Sequence, residues 1–306
     1  MSKRKQDLGE KVPNNNPNTD DDSGDDESKD FDMLNVDFEW FDPQPDFDYH
    51  GIKTLLQQLF DVDAQMFDLA GLTDLILAQK TLGSTVKVDG NETDPYAFLS
   101  VVNLQEHKVK AIPRLCANMT DGVQDKPFVG KLSQYIQSKA KSNPDLAPLA
   151  DLLSQPSIPA IGLILTERLI NVPSEVVPPM YTMLLEEIEW ALQDGEPYNF
   201  SHYLILSKTY TEVASKLDAE EDRPKKKQKA GGSFETMYFH PEDEVLQRHA
   251  ICHGGYEYSI KQDEGHSDSK RAFQELGIKP QGRAILISAD KFKGAVQNVE
   301  EYLKPQ

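Results

Sequence analysis

Positive charge is in short supply in this sequence. Its 51 aspartates and glutamates face only 32 lysines and arginines, a formal net charge of −19 over 306 residues. Binding nucleic acid through phosphates needs a basic face that releases counterions. That partner class is disfavoured, and a basic protein is favoured. Cysteine is nearly absent: Cys116 and Cys252 cannot build a disulfide framework, which points to a reducing compartment. No run approaches the roughly 18 apolar residues of a membrane span. The opening MSKRKQDLGEK lacks the apolar core of a secretory signal, so a soluble intracellular protein is expected. The first 30 positions contain only Met1, Leu8 and Val12 from the apolar set. Such a segment buries too little area to offset its ordering entropy. Residues 1–30 are therefore expected to be a disordered acidic tail.

The usual chemical signatures are missing as well. No GxGxxG follows a strand, no GxxxxGK[ST] occurs, and no GxSxG elbow is present. Gly254-Gly255 reads as a turn or bulge and Gly231-Gly232 as linker. The nearest approach to a metal site is HAICH, with His249, Cys252 and His253, but a site needs three or four ligands in an open geometry. Ordinary packing and surface histidines explain it better. Glu186 and Glu187 read as a solvated helix face. The expectation is a protein without catalytic residues, cofactor or metal.

What is present is an alternation of apolar patterns. LNVDFEWF, Leu34–Phe41, alternates apolar and polar positions and predicts a half-buried strand. Helical spacing runs through Ile52–Phe60, Met66–Leu82, Phe128–Lys139, Asp145–Leu153, Glu175–Leu192 and Lys291–Tyr302. Strands are predicted at Tyr96–Leu104, Ala160–Thr166, His202–Tyr210, Phe234–Phe239, Ile251–Tyr258 and Ala284–Ser288. AIGLILT is apolar on both faces and reads as a central strand. The order predicts an α/β fold with a mixed central sheet flanked by helices, in one domain spanning 31–306. Two stretches interrupt it. LDAEEDRPKKKQKAGGS, residues 217–233, reads as a flexible charged insertion joining two antiparallel strands, and Lys261–Ser269 reads as a surface loop.

Three features suggest function. FEWFDPQPDFDYHG, Phe38–Gly51, combines aromatic residues with acids and contains no lysine or arginine. Its aromatics are expected mostly in the core. Asp37, Glu39, Asp42, Asp46 and Asp48 are expected to form a surface for a basic partner. PKKKQK, with Lys225, Lys226, Lys227 and Lys229, is a nuclear-localisation candidate reachable in extended form. Ser23 in SGDD suits an acidophilic kinase, whose phosphate would add about −1.5 to −2 charge. LTDLILAQKTL, Leu72–Leu82, has the spacing of an export signal and equally that of a buried helix.

VDFEWFDPQPDFDYHGIKTLLQQLF (Val36–Phe60) and IGLILTERLINVPSEVVPPMYTMLLEEI (Ile161–Ile188) resemble the two signature segments of the BCCIP family, in particular its fungal members. The acidic tail and the basic loop before FETMYFHPEDEVL match that family's layout. The resemblance implies a GNAT-like fold, related to acetyltransferases. The coenzyme A loop of that enzyme class, Q/R-x-x-G-x-G/A at a helix start, has no counterpart here; GLILTERLIN and QGRAIL both fail the pattern. It further implies a nuclear protein shuttling to the cytoplasm. Such a protein would chaperone a basic large-subunit ribosomal protein in ribosome biogenesis, meet nuclear transport receptors and support export of clients, including a lipid kinase. Competing expectations are a degenerate acetyltransferase and a scaffold in cell-cycle or DNA-repair complexes.

Overall fold

In a computed structural model that describes residues 36–79, 82–105, 127–155, 160–212, 236–260 and 278–304, eight strands form one sheet. They are β1 (Glu39–Phe41), β2 (Ser84–Lys87), β3 (Ala97–Asn103), β4 (Ile161–Arg168), β5 (His202–Glu212), β6 (Thr236–Tyr238), β7 (Cys252–Tyr256) and β8 (Ile278–Ser288). The helices are α1 (Pro45–Phe60), α2 (Leu69–Leu77), α3 (Pro127–Ser142), α4 (Ala147–Ser154), α5 (Val177–Gln193), α6 (Glu242–Leu246) and α7 (Ala289–Tyr302). Across the sheet the order is β1-β2-β3-β4-β5-β8-β7, with β6 also on β5. β4 and β5 run parallel, and the other neighbours are antiparallel. The fold is thus mixed α/β with a mostly antiparallel central sheet.

Strand alternation sends side chains to two separate cores. Leu163, Leu165, Leu204 and Leu206 join the core built with α1 to α4, whereas Ile164, Tyr203 and Ile205 join the one under α5 and α7. At the start of α1, Pro45 occupies the first turn, and Asp46 and Asp48 suit the positive end of the helix dipole. Its Ile52, Leu55 and Leu56 are wholly buried. Truncating one such leucine typically costs about 2–5 kcal/mol. α2 begins at Asp68, whose side chain accepts the Gly71 N–H at 3.0 Å, a cap for an otherwise orphaned donor.

Several elements differ from the sequence expectation. Of the strand expected over 34–41, only Glu39–Phe41 pairs; Val36 is exposed, and Leu34 lies outside the described residues. α1 starts at Pro45 rather than Ile52, because the proline pre-sets φ and Asp48 accepts the Gln44 N–H at 2.7 Å. The long helix expected from Met66 is a 3-10 segment (Asp61–Met66) followed by α2, which ends at Leu77. β2 went unpredicted, its four residues being too few to show a period. β8 begins six residues before Ala284, because Ile278 to Gln281 pair with the end of β5.

Gly254-Gly255 is neither turn nor bulge. Both lie inside β7 in unbroken register with β8. A Cβ on Gly254 would come within 2.7 Å of the Asn143 amide, so close approach of a neighbouring segment explains the glycine. The strands at either end of the 213–235 segment, β5 and β6, are antiparallel as expected. The tail 1–30, the insertion 217–233 and Lys261–Ser269 lie outside the described residues.

Candidate functional site

The aromatic-acidic stretch sits at one end of the sheet. Trp40 turns into the core beneath α5, and its indole N–H donates to the Val176 carbonyl at 3.1 Å. Phe38 packs edge-on against Tyr96, ring centroids 6.2 Å apart. These anchors fix the backbone that carries the acids. Asp37, Asp42 and Asp46 are exposed, and Glu39 is half-buried on β1 opposite Lys87.

Asp48 does not belong with them. It is wholly buried and holds Lys87 Nζ at 2.6 Å, the lysine side chain being 0 % exposed too. Lys87 also donates to the Asn91 carbonyl at 2.7 Å and side-chain oxygen at 3.0 Å. Burial pushes the Asp48 carboxyl above its ordinary range, although bonds from Lys87 and Gln44 oppose that. The reason lies in helix geometry: within the first turn of α1, Asp46 points to solvent while Asp48, two positions on, turns toward the sheet.

A second charged group lies at the sheet centre and was not anticipated. β4 and β5 pair in parallel only as far as Leu165 and Leu206, and then part. Two residues beyond that point, Glu167 and Lys208 meet with Nζ 2.6 Å from Oε2. On the other face, Arg168 makes a two-pronged contact to Glu242, 2.5 and 3.1 Å, and Ser207 donates to Asp243 at 2.5 Å. His240 threads the gap between the strands. Its Nε2 is 2.9 Å from Glu167 Oε1 and its Nδ1 3.3 Å from the Ser207 hydroxyl.

Burial would push the Glu167 carboxyl up, but hydrogen bonds and charge from His240 and Lys208 overcome it and hold it at about 2. Burial opposes charge on His240 as well, yet Glu167, Glu242 and Asp243 raise its pKa above the ordinary value. Asp243 is pushed up to about 6, chiefly by burial.

Ser207, His240 and Glu167 have the residue types of a nucleophile relay. The arrangement does not favour that chemistry. The serine hydroxyl donates its hydrogen bond to Asp243 rather than to the imidazole, and all three residues are buried, so no substrate reaches the serine. The group holds β4, β5 and the β6–α6 segment together. Beside it, Thr54, Gln58, Ala64, Leu69, Phe239 and Pro280 line much of an open cleft of about 630 Å³, and Lys208 also borders it.

The signal for this group was present in sequence. Glu167 and Lys208 each fall on the core-facing period of an apolar strand, where a charge demands a partner. Other candidates have ordinary partners. His249 bonds Asn298 at 2.8 Å, His253 bonds Arg283 at 2.9 Å, and Cys252 is buried. In the 72–82 stretch, Leu72, Leu75, Ile76 and Leu77 are buried, as a packed helix requires, and Leu82 beyond the helix is buried in the other core. Glu187 is not solvated but buried, accepting the Gly83 N–H at 2.9 Å. Ser23, Cys116 and Lys225, Lys226, Lys227 and Lys229 lie outside the described residues.

Comparison with known proteins is consistent along the chain. Residues 33–246 match the BCCIP family. Protein bcp1 of Aspergillus fumigatus is 65 % identical over 283 residues, 92 % of each chain. Protein bcp1 of Schizosaccharomyces pombe is 47 % identical over 277 residues, 89 % of this chain and 91 % of its own. The crystal structure of BCP1 from Saccharomyces cerevisiae superposes with a TM-score of 0.58 at 25 % identity, covering 91 % of this chain and 94 % of that one. With the family matched over most of its length and close relatives along nearly all of it, this chain belongs to the BCCIP family.

Proposed function

We propose that this chain is a non-enzymatic carrier of a basic protein, with Asp37, Glu39, Asp42 and Asp46 as part of the surface that receives it. The observation behind this reading is the division of labour in the opening stretch. Phe38 and Trp40 are packed inward and hold the segment, while these four acids stay at or near the surface. Exposed acids on an anchored backbone can meet lysines and arginines at little ordering cost, and they steer encounter through charge. The family resemblance makes a large-subunit ribosomal protein the natural client. Its rRNA-binding face is a polycation that an acidic partner can occupy in place of phosphate.

Export of further clients, including a lipid kinase, and nuclear residence directed by Lys225, Lys226, Lys227 and Lys229 complete the proposal. The acetyltransferase ancestry implied by the resemblance is compatible with it. The gap where β4 and β5 part is filled by the chain's own His240, Glu242 and Asp243, which favours a binding role over a cofactor-dependent one. Affinity purification of the full chain under physiological salt tests the proposal. A stoichiometric basic ribosomal protein is the expected companion, and recovery of none would overturn it.

A further inference from the structure

The sheet ends at β1, and that edge is open among the described residues: β1 pairs with β2 and with no other strand. The direction of its backbone groups follows from its neighbour. The Phe41 carbonyl faces β2, where the Thr85 hydroxyl donates to it at 3.3 Å. The Val86 carbonyl is turned the other way, toward β3, and accepts the Tyr96 N–H at 2.8 Å. Along an antiparallel strand, backbone groups alternate between the two neighbours. Trp40, which lies opposite Val86, therefore turns its own N–H and C=O to the outer edge.

Natural sheets blunt such edges, often with lysine or a bulge, because an unpaired strand templates another. This edge carries acids instead. Asp37 and Asp42 bracket the strand, Glu39 lies within it and Asp46 follows in α1. The cation on the adjacent strand, Lys87, is buried and matched by Asp48, so it does not offset them. The edge is also rigid, since Trp40 is tied to Val176 and packed into the core.

We infer that the outer edge of β1 receives an extended, lysine- or arginine-bearing segment of the partner as an added strand. Backbone pairing at Trp40 would hold the segment, and Asp37, Glu39 and Asp42 would select its charge. This rests on the carrier reading above and adds to it a geometry of capture. A flexible basic extension would be ordered on the edge, whereas a globular basic face would meet the acids without pairing.

The test uses the full-length protein and a nine-residue peptide alternating lysine and threonine. A second peptide of the same sequence is N-methylated at every internal residue, which keeps every side-chain charge and removes the backbone donors from both of its edges. Titration and amide exchange at Trp40 are read for both peptides. The quadruple variant Asp37→Asn, Glu39→Gln, Asp42→Asn and Asp46→Asn is titrated with the unmodified peptide. Strand addition predicts that N-methylation and charge removal each weaken binding at least tenfold. It also predicts that the unmodified peptide slows exchange at Trp40 at least tenfold. Loss on charge removal alone, with N-methylation harmless, would leave the acidic surface standing and overturn the edge. Binding by neither peptide would overturn the edge, and binding indifferent to charge removal would overturn both readings.

Discussion

Lys208 on β5 reaches Glu167 on β4 two residues beyond the last parallel pairing of those strands, with Nζ and Oε2 2.6 Å apart. The ion pair joins the two strands through their side chains where their backbones part, and β6 takes over the pairing with β5 from Thr209 onward. His240, arriving from the β6–α6 segment, accounts for the second Glu167 oxygen. Substituting Glu167→Gln leaves Lys208 and His240 without their carboxylate, which should cost about 3–5 kcal/mol. Urea unfolding measures this. A loss below about 1 kcal/mol would show that the pair is replaceable by solvent.

The same group predicts a dependence on pH. Asp243 titrates at about 6 in the fold against an ordinary 3.8. Between those values the folded state keeps a proton that the unfolded chain has released, so stability falls as pH rises through that window. His240 adds to the fall, because its raised pKa gives a contribution that is full below pH 6.5 and is lost as pH rises through the folded value. Glu167, held at about 2 against 4.5, works in the opposite sense: its contribution is present above pH 4.5 and lost on acidification toward 2. Asp243→Asn should flatten the decline between pH 4 and 6, as read by denaturation at a series of pH values. An unchanged slope would assign the decline to other groups.

The pair Asp48 and Lys87 joins α1 to β2 in a fully buried setting. Either single change, Asp48→Leu or Lys87→Met, should destabilise by about 3 kcal/mol, since one buried charge is left alone. The double change Asp48→Leu with Lys87→Met should recover much of that loss. A double-mutant cycle with no coupling would contradict the geometry.

Gly282 on β8 lies beneath the Tyr256 ring, where a Cβ would sit 2.2 Å from the nearest ring carbon. Gly282→Ala should cost roughly 1–3 kcal/mol through overpacking. Adding Tyr256→Leu should relieve part of it. Thermal unfolding of the three variants reads this out, and equal melting of Gly282→Ala and the parent would mean the ring is free to move aside.

For the client surface, neutralising Asp37, Glu39, Asp42 and Asp46 should slow association and flatten its salt dependence, with dissociation less affected. Exposed charges act mainly on encounter and are screened over about 8–10 Å at physiological salt. Stopped-flow kinetics of the purified client across a salt series would show it. Wild-type rates at low salt would place the client site elsewhere.

Much of this fold is legible in local pattern, and the reason is physical. Ile161–Leu165 is apolar on both faces, which only a strand between two layers tolerates, and Met180, Leu184, Ile188 and Ala191 repeat at the pitch of a helix. Composition likewise set the net charge of the chain, and the segments Val36–Phe60 and Ile161–Ile188 carried its family resemblance. Tertiary structure alone decided which charges reach that surface. Asp46 and Asp48 are near-equivalent in sequence, but one faces water and the other meets Lys87 from 39 residues away, a partner that no local period encodes. It also decided that β4 and β5 should part and that His240, 73 residues from Glu167, should fill the gap between them. Periodicity reports whether a residue faces a core, because burial is a property of one element. Pairing of charges across the gap depends on where distant segments arrive, and that is settled only when the layers pack.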